Sequence, residues 1–167
     1  MRTGGSLCRW FAALGIVVAP EVHAQVASST VTATVGVAMA ISGTADLAFG
    51  TVIPGIAKTI TWDAATSGRL SIAGNGNAQI AMTFLLPSVL TSGVSSMLIG
   101  NYDVHVNQNA GTNNTDVLTV TSGVPALSNL RGGKMFVFIG GRVAPAGTQP
   151  GGTYTGTITL AVAYTGL

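Results

Sequence analysis

Between Val31 and Ile41 the side chains Val31, Ala33, Val35, Val37, Met39 and Ile41 alternate with Thr32, Thr34, Gly36, Ala38 and Ala40. Alternation at period two places every larger apolar side chain on one face of an extended strand, whereas a helix would repeat its apolar positions every three or four residues. The run is about twice the length of a typical strand. It therefore reads both as a strand of its own domain and as an arm able to reach a neighbour.

What precedes this run has the form of an export signal. Arg2 and Arg9 come first, then an apolar run from Trp10 to Ala19, Pro20, and Val22-His23-Ala24 ahead of Gln25. A positive start, a short apolar stretch and small residues before the scissile bond describe a cleavable secretory signal, here residues 1–24. The run is too short to span about 30 Å of hydrocarbon, so no membrane span is expected after cleavage. Residues 25–34 then form an N-terminal extension and a possible donor arm, and 35–167 a single domain. Cys8 leaves with the signal, so neither a disulfide nor a thiolate site is available to the mature chain.

Removing Arg2, Arg9 and Glu21 reduces the 7 basic and 5 acidic residues to a mature net charge of +1. Charged residues are only 7% of the chain, far below the usual quarter. So weak an imbalance argues against a nucleic-acid partner. Disorder is equally disfavoured, because apolar residues make up 47% of the sequence and disordered chains are poor in them.

The remaining sequence is a series of short apolar or alternating runs broken by turn residues. Strands are expected at Leu47 to Ile53, Lys58 to Trp62, Arg69 to Ala73, Ala78 to Leu86, Tyr102 to Asn107, Val117 to Thr121, Lys134 to Gly140 and Thr153 to Tyr164. Pro54-Gly55, Gly74-Asn75-Gly76-Asn77, residues 109–115 and Gln149-Pro150-Gly151-Gly152 supply turns and loops. Leu85 to Val94 is ambiguous: Pro87 argues against a central strand, and a short helix is an alternative. In the last run Tyr154, Gly156, Ile158, Leu160, Val162 and Tyr164 share one face, giving a terminal core face of Tyr154, Ile158, Leu160, Val162 and Tyr164. The pattern predicts an all-β sandwich of roughly seven to nine strands. Its expected core comprises Phe49, Ile60, Ile80, Met82, Phe84, Val137, Ile139, Ile158, Leu160 and Val162.

Two segments resemble a known family. Ala45-Asp46-Leu47-Ala48-Phe49-Gly50-Thr51-Val52 is similar to the Asp-Leu-x-Phe-Gly segment of the secreted bacterial family termed domain of unknown function 4402. Gly140-Gly141-Arg142-Val143, with Gly152-Thr153-Tyr154-Thr155-Gly156 and the strand that follows, resembles that family's Gly-Gly turn and terminal Gly-x-Tyr-x-Gly strand. The family is akin to spore-coat-U-like and chaperone-usher pilus subunits. The resemblance implies an immunoglobulin-like, pilin-like sandwich, exported to the periplasm, cell surface or medium, with a periplasmic chaperone as a candidate partner. It also implies pairing with the same or related subunits by β-strand addition, with Val31, Ala33, Val35, Val37, Met39 and Ile41 as the candidate donation face. The alternative at this stage is that the same run is the first strand of a closed sandwich.

Candidates for chemistry are few. His105 is the only histidine after cleavage, and Asp103 lies on the same strand face, but a base and its orienting carboxylate still need a nucleophile. Four aspartates without a glutamate argue against a paired-carboxylate glycosidase, and zinc is poorly provided for. Gly74-Asn75-Gly76 and Arg131-Gly132-Gly133-Lys134 lack the spacing of nucleotide-binding loops. No enzyme activity, cofactor or metal is expected. An exported structural or adhesive subunit, assembling into a pilus-like fibre, is the primary expectation; a secreted carbohydrate-binding module using Trp62 and Tyr102 is the alternative.

Overall fold

The computed structural model of the chain describes residues 30, 32, 33, 35–113 and 115–166. The expected signal at 1–24, most of the extension at 25–34 including Val31, and Asn114 lie outside the described residues. The chain divides into two compact units, Met1–Thr34 and Val35–Leu167. In the first, residues 30, 32 and 33 are exposed and lack regular secondary structure.

The second unit is a two-sheet β-sandwich. Its strands are β1 (Ala40–Ala45), β2 (Lys58–Ile60), β3 (Gly68–Ala73), β4 (Gln79–Leu85), β5 (Val89–Ser92), β6 (Ser95–Asn107), β7 (Asp116–Val117), β8 (Pro125–Asn129), β9 (Lys134–Ala144) and β10 (Thr159–Tyr164). The larger sheet runs β1-β3-β9-β6-β5, with β2 added to β9 and β7 to β6, and the smaller runs β10-β4-β8. Every ladder is antiparallel. Helix among the described residues is confined to a 3-10 turn at Arg131–Gly133.

Alternation explains which faces meet. In β4, Ile80, Met82 and Phe84 are buried while the residues between them are more exposed. In β9, Met135, Val137, Ile139 and Val143 point the same way into the core. Ile72, Val104, Val106 and Leu130 complete this cluster, and Leu90, Met97 and Ile99 form a second one with Val143. Of the expected core, Ile80, Met82, Phe84, Val137 and Ile139 are buried, whereas Phe49, Ile60, Ile158, Leu160 and Val162 are only half-buried. β10 is an edge strand with β4 as its sole neighbour, so its inner face is covered from one side only.

A β-bulge sets the phase of β6. Gly100 opposes Arg142, but the next matched pair is Asp103 with Gly140. Asn101 sits in this irregularity at φ 47°. The extra residue keeps Met97 and Ile99, then Val104 and Val106, on the inner face. Unbroken alternation would have turned Asp103 and His105 into the core.

Several expected elements differ. The paired part of the opening run is Ala40–Ala45, not Val31 to Ile41: Ile41 faces Ile72 across the ladder, and Ser42 and Ser71 are linked Oγ to Oγ at 2.8 Å. Upstream, residues 35–39 have no strand partner among the described residues. Leu47 to Ile53 forms no strand, and only Thr159–Tyr164 of the terminal run joins a sheet. The ambiguous region holds an edge strand, β5, hairpinned to β6 through Gly93 at φ 57°. Strand β8 escaped the sequence pattern because it begins at Pro125, a residue tolerated at a strand's first position. The Gly140-Gly141 pair is not a turn; it lies inside β9.

Candidate functional site

A concavity lies over the larger sheet, on the side where β1 is its edge and the chain runs in toward β10. At one end these two strands are joined: the Tyr164 hydroxyl accepts from the Asn75 N–H at 2.6 Å and donates to the Val37 carbonyl at 3.1 Å. At the other end the chain leaving β1 and the chain entering β10 diverge around a cavity of about 910 Å³. Its floor includes Leu70, Ile139, Val143, Met97, Ile99 and Leu90, and its charged lining is limited to Asp46 and Arg69.

Both walls are segments whose sequence predicts strand but which form none in the structure, the second touching β5 through a single isolated bridge. The first, residues 46–52, contributes Leu47 and Phe49; Leu47 lies against Gly68, where an added Cβ would come within 3.3 Å. Gly50 turns this wall with φ 60°. The second wall is residues 151–158. Thr155 exchanges both backbone hydrogen bonds with Thr91 of β5, at 2.8 and 3.0 Å. In an extended chain the neighbouring residues direct their N–H and C=O groups to the opposite edge. Tyr154 and Gly156 therefore direct theirs away from β5, and neither has a backbone partner among the described residues. Gly156 is packed so closely that a Cβ would meet Leu90 Cδ2 at 2.7 Å. The Tyr154 hydroxyl is fixed by donating to Pro150 O at 2.9 Å and accepting from Gln149 Nε2 at 2.7 Å.

The candidate donation face is distributed unevenly. Ala33 is exposed, Val35 and Val37 are 94% and 63% exposed, Met39 is half-buried against the main core, and Ile41 belongs to β1. On the terminal face, Ile158, Leu160 and Val162 pack on the main cluster, Tyr154 on the second, and Tyr164 makes the link to Val37 and Asn75. Sequence reading found both walls as apolar alternations but gave no sign that they enclose a cavity.

The residues weighed for catalysis and sugar binding are elsewhere. Arg69, Phe138 and His105 are cross-strand neighbours on the outer face of the larger sheet. Trp62 stacks on His105 at 4.1 Å and 14°, and the Arg69 guanidinium lies 5.5 Å from the Phe138 ring centre. His105 Nε2 is 3.2 Å from Asp103 and Nδ1 is 3.1 Å from Thr115 Oγ1. Through these contacts His105 links β6 to Thr115, with its ring covered by Trp62. Asn107 organises the same loop through Nδ2, which donates to Asn109 Oδ1, Gly111 O and Asn113 O.

Tyr102 points to the opposite side, packing on both core clusters and donating to Pro87 O at 2.6 Å. It forms no common platform with Trp62. Burial pushes its phenol up to about 12, above the ordinary value near 10. The folded state thus disfavours ionisation, and this contribution to stability is complete below about pH 10 and lost as pH rises toward 12. Comparing urea midpoints at pH 9 and pH 11, wild type is expected to lose more stability than Tyr102→Phe.

These features define a two-sheet β-sandwich with an open groove of mixed polar and apolar lining over the larger sheet. The chain belongs to the family described as Domain of unknown function (DUF4402), which it matches over residues 24–164. Comparison with curated proteins gives no match. Of the segments that carry the family resemblance, 45–52 and the first part of the terminal one, 152–158, line the groove, while Gly140 to Val143 lies within β9.

Proposed function

We propose that this protein is an exported structural or adhesive surface subunit whose groove accepts an extended strand from a related subunit. The observation that carries this reading is the combination of an apolar floor with a wall that leaves the Tyr154 and Gly156 backbone groups unpaired. An exposed row of N–H and C=O groups is a template for another strand, and pockets along it select alternate side chains. Small apolar residues at every second position, as in Val31, Ala33, Val35 and Val37, suit such a slot. The signal-like residues 1–24 support export, with a periplasmic chaperone as a partner that shields the groove before assembly.

The test uses the chain from Gln25 onward with Val35→Asp and Val37→Asp, which disables its own arm at two exposed positions. A synthetic peptide of residues 26–38 should raise its melting temperature in a saturable way, because a ligand that binds only the folded state stabilises it. The same peptide carrying both aspartates should have no effect. Absence of binding and of any thermal shift with the wild-type peptide would remove strand acceptance as the function of the groove.

A further inference from the structure

We propose that Asn75 is a self-modification site: its side-chain amide is lost through attack by the Gly76 backbone nitrogen, and the isoaspartyl product opens the link by which Tyr164 holds the chain leading into β1. Asn75-Gly76 is the only Asn-Gly pair in the sequence. Glycine matters at the second position, because without a Cβ its backbone can approach the preceding side chain closely. Every other asparagine of the chain is followed by a residue that carries a Cβ.

The turn between β3 and β4 leaves both reacting groups free. Asn75 is exposed, and its carboxamide has no hydrogen-bond partner among the described residues. The Gly76 N–H is likewise unpaired there, whereas the residues on either side are tied down. Gly74 N–H donates to Gly133 O at 3.0 Å, and Asn77 N–H donates to Leu130 O at 2.7 Å. A cavity of about 190 Å³ beside Asn75 admits the water that the second step consumes. Asn107 shows the opposite arrangement: the Gln108 N–H that would have to attack it already donates to Asn107 Oδ1 at 2.7 Å.

The Gly76 nitrogen loses its proton to solvent base and bonds to Asn75 Cγ; the Cγ–Nδ2 bond breaks, and ammonia leaves with a proton as a cyclic imide closes. Water then opens the imide at one of its two carbonyls. Opening at Cγ gives aspartate with the normal main chain. Opening at the backbone carbonyl gives isoaspartate, whose main chain runs through Cβ and Cγ and is one atom longer. Gly74 and Asn77 stay pinned by their hydrogen bonds, so the extra atom bows the chain at residue 75. There the Tyr164 hydroxyl accepts from the Asn75 N–H and donates to Val37 O, and it lies so close to Gly74 that a Cβ would collide with it. A turn this crowded cannot bow without moving the hydroxyl, and Val37 O then loses its donor.

The experiment incubates the chain from Gln25 onward at pH 8.5 and follows it by peptide mass mapping, ion exchange and isoaspartyl methyltransferase labelling. The peptide containing residue 75 is expected to gain the mass of OH replacing NH2, one negative charge and a methyl-accepting isoaspartate. Gly76→Ala should slow this several-fold, and its Cβ would meet nothing closer than Gly133 N at 3.6 Å. Asn75→Gln, which would have to close a larger ring, is a second slow variant. Conversion centred on another asparagine, or undiminished in Gly76→Ala, overturns the site. The link is read with elastase, which accepts small aliphatic residues. Cleavage at Val37 and Ala38 should be several-fold faster in the isoaspartyl fraction than in fresh protein, and Tyr164→Phe, which removes both hydrogen bonds, should match it. Fresh Asn75→Asp, with the added charge but the normal main chain, should resist like wild type. An isoaspartyl fraction that resists equally overturns the opening of the link; cleavage of Asn75→Asp at the isoaspartyl rate overturns the longer main chain as its cause.

Discussion

Phe84→Ala is expected to lower stability by about 3–5 kcal/mol, the range for removing a buried aromatic side chain and leaving a cavity. Phe84 is fully buried in β4, opposite Leu160 of β10, within the cluster that joins the two sheets. A domain with a total stability of about 5–15 kcal/mol has little margin for such a loss. Thermal and urea unfolding of Leu85→Ala supply the contrast, because Leu85 is the next residue on the same strand yet 55% exposed. That variant should stay within about 0.5 kcal/mol of wild type. Similar losses at both positions would show that the phase of β4 is wrong.

Gly140→Val is expected to damage the fold although it adds only apolar atoms. A Cβ on Gly140 would come within 2.6 Å of Ile60 O and 2.7 Å of the Trp62 N–H nitrogen. These are backbone atoms of the chain that pairs with β9 and then crosses its outer face, so no side-chain rotation relieves the clash. Overpacking of this kind costs about 1–3 kcal/mol, and more where backbone must move. The displaced segment carries Trp62 off His105, so the fluorescence of Trp62 should change in the chain from Gln25 onward even where the protein remains folded. Gly147→Val is the control: nothing lies within 4 Å of its added Cβ. Equal behaviour of the two variants would contradict the close approach of β2 to β9.

The placement of Gly140 shows why a sequence pattern and a fold can disagree over the same residue. Paired glycines are ordinary turn formers, and Gly140-Gly141 resembles a family segment read that way. Here their small size admits other chain segments within a strand: Ile60 and Trp62 backbone against Gly140, Leu47 and Tyr102 against Gly141. The Gly100–Asp103 bulge is a second case. Tyr102 to Asn107 was legible as a strand, with Asp103 and His105 on one face. That its full length is Ser95–Asn107, with a phase change in the middle, depends on the β9 residues it meets.

Alternation along the chain was enough to determine the all-β class, the central strands β3, β4 and β9, and the inward phase of Ile80, Met82, Phe84, Val137 and Ile139. Those are local properties, because side-chain direction repeats every two residues whatever the strand is paired with. Whether an extended segment acquires partners is decided by chain path, and only the tertiary structure shows that 46–52 and 151–158 border a groove instead of extending the sheets. The same physics governs the arm. Val35, Val37, Met39 and Ile41 share one apolar face by sequence, but the ladder to β3 and the Tyr164 link determine that the last two belong to this sandwich and leave the first two exposed.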